Sequence, residues 1–365
     1  MENNRIAYFI SSHGFGHAAR SSAIMAETNR QNPQVVFDIY TQTPEWFFLE
    51  SEAPFEKKYT VVSDIGIIQI SPMEMDTSET VKKVTHFLSS IESESACMAE
   101  LLRTREYQLV ISDISPLGIK SAQKAGIPCI LFENFTWDWI YEIYETDYPE
   151  FIKINRILAD IYRSVDVHGR LIPFCDETWD ADLIIPPVSR NPKHGRSETR
   201  KQLGIDSEQL MGLISMGGIP ENFQQVRKDF MNRQDTVLVI EGNFPAVTRS
   251  GSLIFLPHHS EFYNPDLVSA ADFFIGKAGY STVAELFHEN IPFGYMLRSD
   301  FRETGPFRSF LQQQSNTLEI EWQTFKDFRL SDAINQLIAM KNPEIRRENG
   351  AKLAADLILQ KLRTA

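Results

Sequence analysis

With 365 residues, 42% hydrophobic and 23% charged, the chain has room for two ordinary globular domains, and its composition excludes disordered and membrane-embedded classes. A formal charge of -13 repels nucleic-acid backbones and anionic membrane faces, so a phosphate ligand must be held by local groups. No apolar run approaches the roughly 18 residues of a spanning helix, and Cys97, Cys129 and Cys175 are too scattered and odd in number for a disulfide framework or a zinc cluster.

The first strand, at 6–10, follows the N-terminus almost at once, without the basic flank, apolar segment and cleavage site of a secretory leader. A cytoplasmic protein is expected. Next comes a turn, Ser11-Ser12-His13-Gly14-Phe15-Gly16-His17, and then a helix beginning near Ala18. Gly14 and Gly16 let backbone approach a ligand with no Cβ in the way, and the helix start beyond them points unpaired N–H groups at it. Gly14-x-Gly16-x-x-Ala19 also fits the dinucleotide fingerprint, with Asp38 about where a ribose-binding acid belongs, although a single match of this kind is unspecific.

Further strands are predicted at 35–40, 109–112 and 129–132, alternating with helices at 115–126 and 151–165; such alternation means a parallel sheet. Residues 59–75 read equally as a strand or as a loop over the sheet edge. The aromatic run Phe132 to Trp139 leaves a strand end, where its rings can stack on a sugar or serve as core. The prolines and glycine of 185–195 mark the linker. Beyond it the pattern repeats: a helix at 197–203, a strand at 211–215 followed by Met216-Gly217-Gly218, and strands at 236–240, 252–255 and 273–275. The expected organisation is two Rossmann-like doubly wound α/β domains, 1–188 and 189–342. A C-terminal amphipathic helix in 343–365 carries Leu353, Leu357, Ile358 and Leu362 on one side and is a candidate to pack back on the first domain. Two such domains would face a cleft lined by the carboxyl ends of both sheets, where open α/β sheets bind ligands.

The densest stretch runs from Ala270 to Leu286 and continues through Ile291-Pro292-Phe293 to Arg298-Ser299-Asp300-Phe301-Arg302-Glu303. It resembles the donor-binding signature of GT-B glycosyltransferases, which implies that Gly279, Ser281 and Thr282 receive the donor diphosphate, that Glu285 meets the ribose, and that Asp300 and Glu303 stand near the donor sugar. The physics agrees, since a helix N-terminus with hydroxyls suits a diphosphate. Glu285 alternatively closes a capping box with Thr282, Lys277 adds charge at the phosphates or lies in solvent, and Asp300 and Glu303 alternatively are loop acids. The common Asp-Gln form is absent here, so the resemblance carries no sugar preference. Taken with Ser12 to Arg20 and the Pro-Pro-Val-Ser-Arg linker, the pattern is similar to the glycosyltransferase-like N-terminal region of plant arabinokinases, with no kinase half, and more distantly to the lipid and UDP-glycosyltransferases.

That resemblance places His17 near an acceptor. An imidazole with a near-neutral pKa can take a proton from a hydroxyl, and Asp113, emerging at the same sheet edge, can orient it. Otherwise His17 contacts phosphate and Asp113 caps the helix beside it. His13 is the rival base, and Arg20 either bridges to phosphate or is solvated. Gly217 and Gly218 should form the other backbone wall of the diphosphate pocket, and His259 lies in the loop that in the family sandwiches the base or ribose. The His258-His259 pair lacks the carboxylate spacing of a metal site, so no metal is expected.

The reading is a glycosyltransferase that moves a sugar from a nucleotide-diphospho-sugar, a UDP-sugar first, to an acceptor hydroxyl, without metal or further cofactor and with inversion. Donor and acceptor are small molecules and nucleic acid is not a partner. The alternatives are a nucleotide-sugar 2-epimerase, a non-catalytic nucleotide-sugar-binding module and an NAD-dependent dehydrogenase.

Overall fold

The structure is a computed structural model that describes residues 4–70, 74–217, 235–298, 301–340 and 347–364. It divides into two compact units. The first comprises Met1–Ser189, Phe301–Pro306 and Asn349–Ala365, and the second Arg190–Asp300 and Phe307–Glu348.

The first unit is built on β1 (Asn4–Ile10), β2 (Val35–Tyr40), β3 (Lys57–Tyr59), β4 (Leu109–Asp113), β5 (Cys129–Glu133), β6 (Val167–Leu171) and β7 (Leu183–Ile185). Its order is β3-β2-β1-β4-β5-β6-β7 with every pairing parallel. The strands β4 and β5 are buried at all five positions, as helices on both faces of a parallel sheet demand. Of the ambiguous region only Tyr59 lies in β3; beyond it the described residues hold only an isolated bridge between Gln69 and Met75. β6 gave no strand signal because its sequence, Val-His-Gly-Arg-Leu, carries a histidine and an arginine inward. They are buried against one carboxylate: His168 Nε2 lies 2.7 Å and Arg170 Nε 3.3 Å from Glu133 Oε1.

The expected helix at 115–126 appears as Pro116–Ala125, capped by Ser115 Oγ, which accepts from the Gly118 N–H at 3.1 Å, and closed by Gly126 at φ 71°. A helix that sequence reading passed over, Thr77–Thr104, is started by Asp76, whose Oδ1 accepts from the Glu79 N–H at 2.8 Å. Helix Ala351–Leu362 packs on helix Phe15–Gln31. Its buried face is Ala351, Ala354, Ala355, Ile358 and Leu359, with Leu353 and Leu357 half-buried at its edges. The alanines, weaker in hydropathy than the leucines, hold the interface because their size lets the helices approach.

The second unit repeats the plan with β8 (Leu210–Ser215), β9 (Thr236–Gly242), β10 (Thr248–Ser250), β11 (Leu253–Pro257), β12 (Phe273–Lys277), β13 (Phe293–Met296) and β14 (Thr317–Glu319). Their order is β10-β11-β9-β8-β12-β13-β14, parallel except for β10 against β11. In both sheets the first strand lies beside the fourth major strand and the second lies on its other flank. The connections therefore reverse between β1 and β4 and between β8 and β12, and such switch points are where doubly wound sheets bind ligands.

Candidate active site

At the first switch point β1 ends in the glycine turn and the helix Phe15–Gln31 begins. Gly14, at φ 76°, is its N-cap, a conformation that costs other residues strain. No side chain caps this helix and its first turn carries no acid, so its leading N–H groups keep their positive potential. His17 and Arg20, one turn apart, share a face of the helix, while Asp113 ends β4, in register with Ile10.

These three side chains form one buried cluster. His17 Nδ1 lies 2.6 Å from Asp113 Oδ1; Arg20 donates from Nε to Asp113 Oδ2 at 2.6 Å and from Nη2 to Oδ1 at 2.7 Å. Arg20 Nη2 is also 3.0 Å from His17 Nδ1. A bare Nδ1 would set a lone pair against the carboxylate, so the proton sits on Nδ1 and is donated to Asp113. The arginine contact is then an approach of two donors, and the lone pair is on Nε2, which has no hydrogen-bond partner among the described residues. Burial is the largest influence on His17 and outweighs the attraction of Asp113; Arg20 adds to it, and the imidazole titrates below its ordinary value. Burial by itself would raise the Asp113 carboxyl, but Arg20 and His17 together hold it below the usual carboxylate range. The cluster is a neutral imidazole with its basic nitrogen presented and its tautomer fixed.

Arg20 is thus buried against Asp113 rather than solvated. It also donates from Nη1 to Asn134 Oδ1, and Asn134 Nδ2 donates to Glu303 Oε1 at 2.9 Å. Glu303, which the family resemblance links to the donor sugar, belongs to the first unit and joins the His17 cluster through Asn134. Sequence reading missed Asn134, although its place directly after β5 is the signal that marks a sheet-edge residue. His13 stands edge-on to Trp137 with ring centres 5.0 Å apart, and Phe135 stands edge-on to His17 at 5.8 Å. Phe132, Phe135 and Trp137 are core residues, which places most of the aromatic run in the packing.

A second missed residue is Asp64, in the loop after β3. Its buried carboxyl accepts from Trp137 Nε1 at 2.8 Å, while Oδ1 has no partner meeting full hydrogen-bond geometry among the described residues. Burial pushes it up to about 6, against the opposing pull of Ser11 and Trp137. Asp38 does not serve a dinucleotide: it lies inside β2, fully buried, accepting from Arg5 at 2.7 Å and from the Tyr107 hydroxyl.

At the second switch point Gly217 follows β8 at φ 76°, its N–H donating to Ser215 Oγ at 3.3 Å. Gly218 and Asp300 lie outside the described residues. Gly279 follows β12 and is the N-cap of helix Tyr280–Glu289, with no side-chain cap and nothing within 4 Å of where a Cβ would stand. Ser281 and Thr282 lie half-buried in its first turn. β8 and β12 are neighbours, so the turns bearing Gly217 and Gly279 leave adjacent strands. With Gly279 as cap, Thr282 is already inside the helix and the capping box with Glu285 does not form. Glu285 is 3% exposed and accepts from Arg190 Nε at 3.1 Å. His259 is exposed in the loop after β11. Among the described residues no group of three His, Cys, Asp or Glu is placed to hold a metal ion, and no helix is long and apolar enough to cross a membrane.

Two Rossmann-like units, each with a glycine turn at its switch point, make up the GT-B fold of glycosyltransferases. The chain is similar in structure to the glycosyltransferase of kitacinnamycin, with a TM-score of 0.68 and 15% identity over 99% of this chain and all of that one. It is similar also to a UDP-glucosyltransferase from Polygonum tinctorium capable of glucosylating indoxyl, with a TM-score of 0.63 and 11% identity over 100% and 99% of the two chains. A putative UDP-N-acetylglucosamine 2-epimerase from Listeria monocytogenes follows at a TM-score of 0.57 and 10% identity over 100% and 97%. In sequence the chain is 26% identical to L-arabinokinase of Arabidopsis thaliana across 96% of its length, and spans about a third, 34%, of that protein. No protein-family model matches it.

Proposed function

We propose that this chain is a metal-independent glycosyltransferase that moves a sugar from a nucleotide-diphospho-sugar, with UDP-sugars the first candidates, to a small-molecule hydroxyl with inversion. The observation that carries the reading is the buried His17–Asp113 pair at one switch point, with the glycine turns of Gly217 and Gly279, the latter heading a helix without a side-chain cap, at the other. His17 Nε2 takes the acceptor proton while the acceptor oxygen forms its bond to the anomeric carbon. The bond from that carbon to the diphosphate breaks, and the electron pair leaves on the phosphate oxygen. The N–H groups at the start of helix Tyr280–Glu289, with Ser281 and Thr282, stabilise the charge that develops there. Asp113 keeps the proton on Nδ1 so that Nε2 stays basic.

The test is a thermal-shift panel of UDP-, GDP-, dTDP- and ADP-sugars with NAD, followed by an acceptor screen with and without EDTA. A ligand that binds only the folded chain raises the melting temperature. A sugar-nucleotide shift and transfer that EDTA leaves unchanged are expected; a shift from NAD alone overturns the reading. A second reading, a nucleotide-sugar 2-epimerase, is favoured by the epimerase-like neighbour and by Asp64, an acid that sequence reading did not single out, lying with Glu303 near the His17 cluster. Conversion of the sugar-nucleotide to its epimer without acceptor would select it. The chain spans only a third of the arabinokinase, which supports a third reading, a binding module; in that case there is no turnover to lose and His17→Ala leaves sugar-nucleotide binding intact.

A further inference from the structure

In the simplest histidine–carboxylate pair the carboxylate both fixes the ring and offsets its charge once it is protonated. Here Asp113 spends an oxygen on each of two Arg20 nitrogens, at 2.6 and 2.7 Å, and the guanidinium lies 3.0 Å from the imidazole nitrogen. All three groups are buried: His17 is 5% exposed, Arg20 1% and Asp113 0%. At such depth charges are little screened, and a cation in contact with the ring opposes any second positive charge there. Arg20 is held in this pose by its further donation to Asn134, itself tied to Glu303.

We propose that Arg20 is a positioning residue that shares the Asp113 carboxylate, so that Asp113 dictates the His17 tautomer while Arg20 offsets part of its support for the imidazolium, and His17 is thereby kept a weaker base. The inference deepens the transferase reading, because it states how strong a base the acceptor meets. The charged and titratable groups around His17 fit it. Asp113 faces it from β4 and Arg20 from its own helix, while Asp64 from the loop after β3 acts on Asp113. Glu303 from the 301–306 segment is reached through Asn134, and the Cys175 thiol, next along, is pushed up by burial and stays protonated. Tyr8 lies near both Asp113 and Arg20, and its hydroxyl is likewise kept protonated, chiefly by burial.

The experiment is a pH titration of the histidine ring signals by NMR in the intact chain, with His17 assigned by its loss in His17→Gln. It needs no substrate. In the parent protein the His17 midpoint should fall below its ordinary value; in Arg20→Gln, where Asp113 faces the ring alone, it should rise by about one pH unit or more. Arg20→Lys keeps the charge but loses the paired geometry, and should fall between the two; it carries the test if Arg20→Gln fails to fold. A His17 midpoint that stays put or drops in both variants overturns the inference and leaves Arg20 a structural ion pair. If the midpoint moves but no form transfers a sugar, the tuning stands and the transferase reading fails. If both hold, the acid limb of kcat/KM moves with the NMR midpoint.

Discussion

Nε2 of His17 must be unprotonated to act, so activity falls as pH drops through its pKa. That pKa is depressed by burial and by Arg20, and the acid limb of kcat/KM should lie below about 6.5, the ordinary value for histidine. A limb above it would remove His17 as base. His17→Ala should cost on the order of 10²- to 10⁴-fold in kcat, with donor affinity by calorimetry unchanged because the diphosphate groups lie elsewhere. Asp113→Asn should also lower kcat, since an amide can turn its NH₂ to Nδ1 and favour the wrong tautomer. Asp64 makes the opposite kind of prediction. Its folded pKa, near 6, is above that of the unfolded chain, so it favours folding below about pH 4 and that contribution is lost as pH rises through 6. Asp64→Asn should therefore match the parent in stability near pH 4 and exceed it at pH 8, by an amount on the order of 2–3 kcal/mol, with a higher melting temperature there. Equal melting temperatures at pH 8 would show that Asp64 is not a desolvated acid. Of this cluster, His17 and Asp113 were legible because each follows or ends an apolar run at a sheet edge. Arg20 was read as a phosphate contact or a solvated helix residue, since nothing local says that its face is buried.

Among elements, the longer strands with apolar runs were readable, the short β7 and β13 were not, and β6 was masked by its polar residues. β6 hides because His168 and Arg170 mimic a loop until Glu133, on the next strand, supplies their partner. Helix Thr77–Thr104 escaped notice because its apolar face is thin, with only seven buried residues in 28. The second switch point depends on close strand approach: a Cβ at Gly276 would stand 2.0 Å from the Ser215 carbonyl oxygen, a backbone atom that cannot turn aside. Gly276→Ala should thus force β8 and β12 apart directly beneath the turns bearing Gly217 and Gly279. We expect a loss of roughly 1–3 kcal/mol of stability in chemical denaturation and a weakened sugar-nucleotide thermal shift. A variant with unchanged stability and unchanged donor binding would contradict this account.

At the scale of the whole molecule, the first unit is completed by two returning segments, 301–306 from between the two stretches of the second unit and 349–365 from beyond it. Gly350 shows how tight the return is, for a Cβ there would lie 2.1 Å from the Pro186 carbonyl oxygen. Removal of 349–365 strips the cover from helix Phe15–Gln31, which bears both His17 and Arg20. Such a truncation should lower the melting temperature by several degrees and reduce kcat together with stability; a truncated chain with parental Tm would show the return segment to be dispensable. The sequence by itself determined the fold class, because alternation of apolar runs with helical stretches leaves a parallel doubly wound sheet as the way to bury both faces of every strand. It also marked the glycine turns, whose residue types are dictated locally by backbone conformation. Only the tertiary structure decided that Arg20 shares the Asp113 carboxylate with His17 and that Asn134 joins them to Glu303. Those contacts bridge 93 and 169 positions, and crossover connections bring such residues together at a sheet edge without leaving any periodic trace in the chain between them.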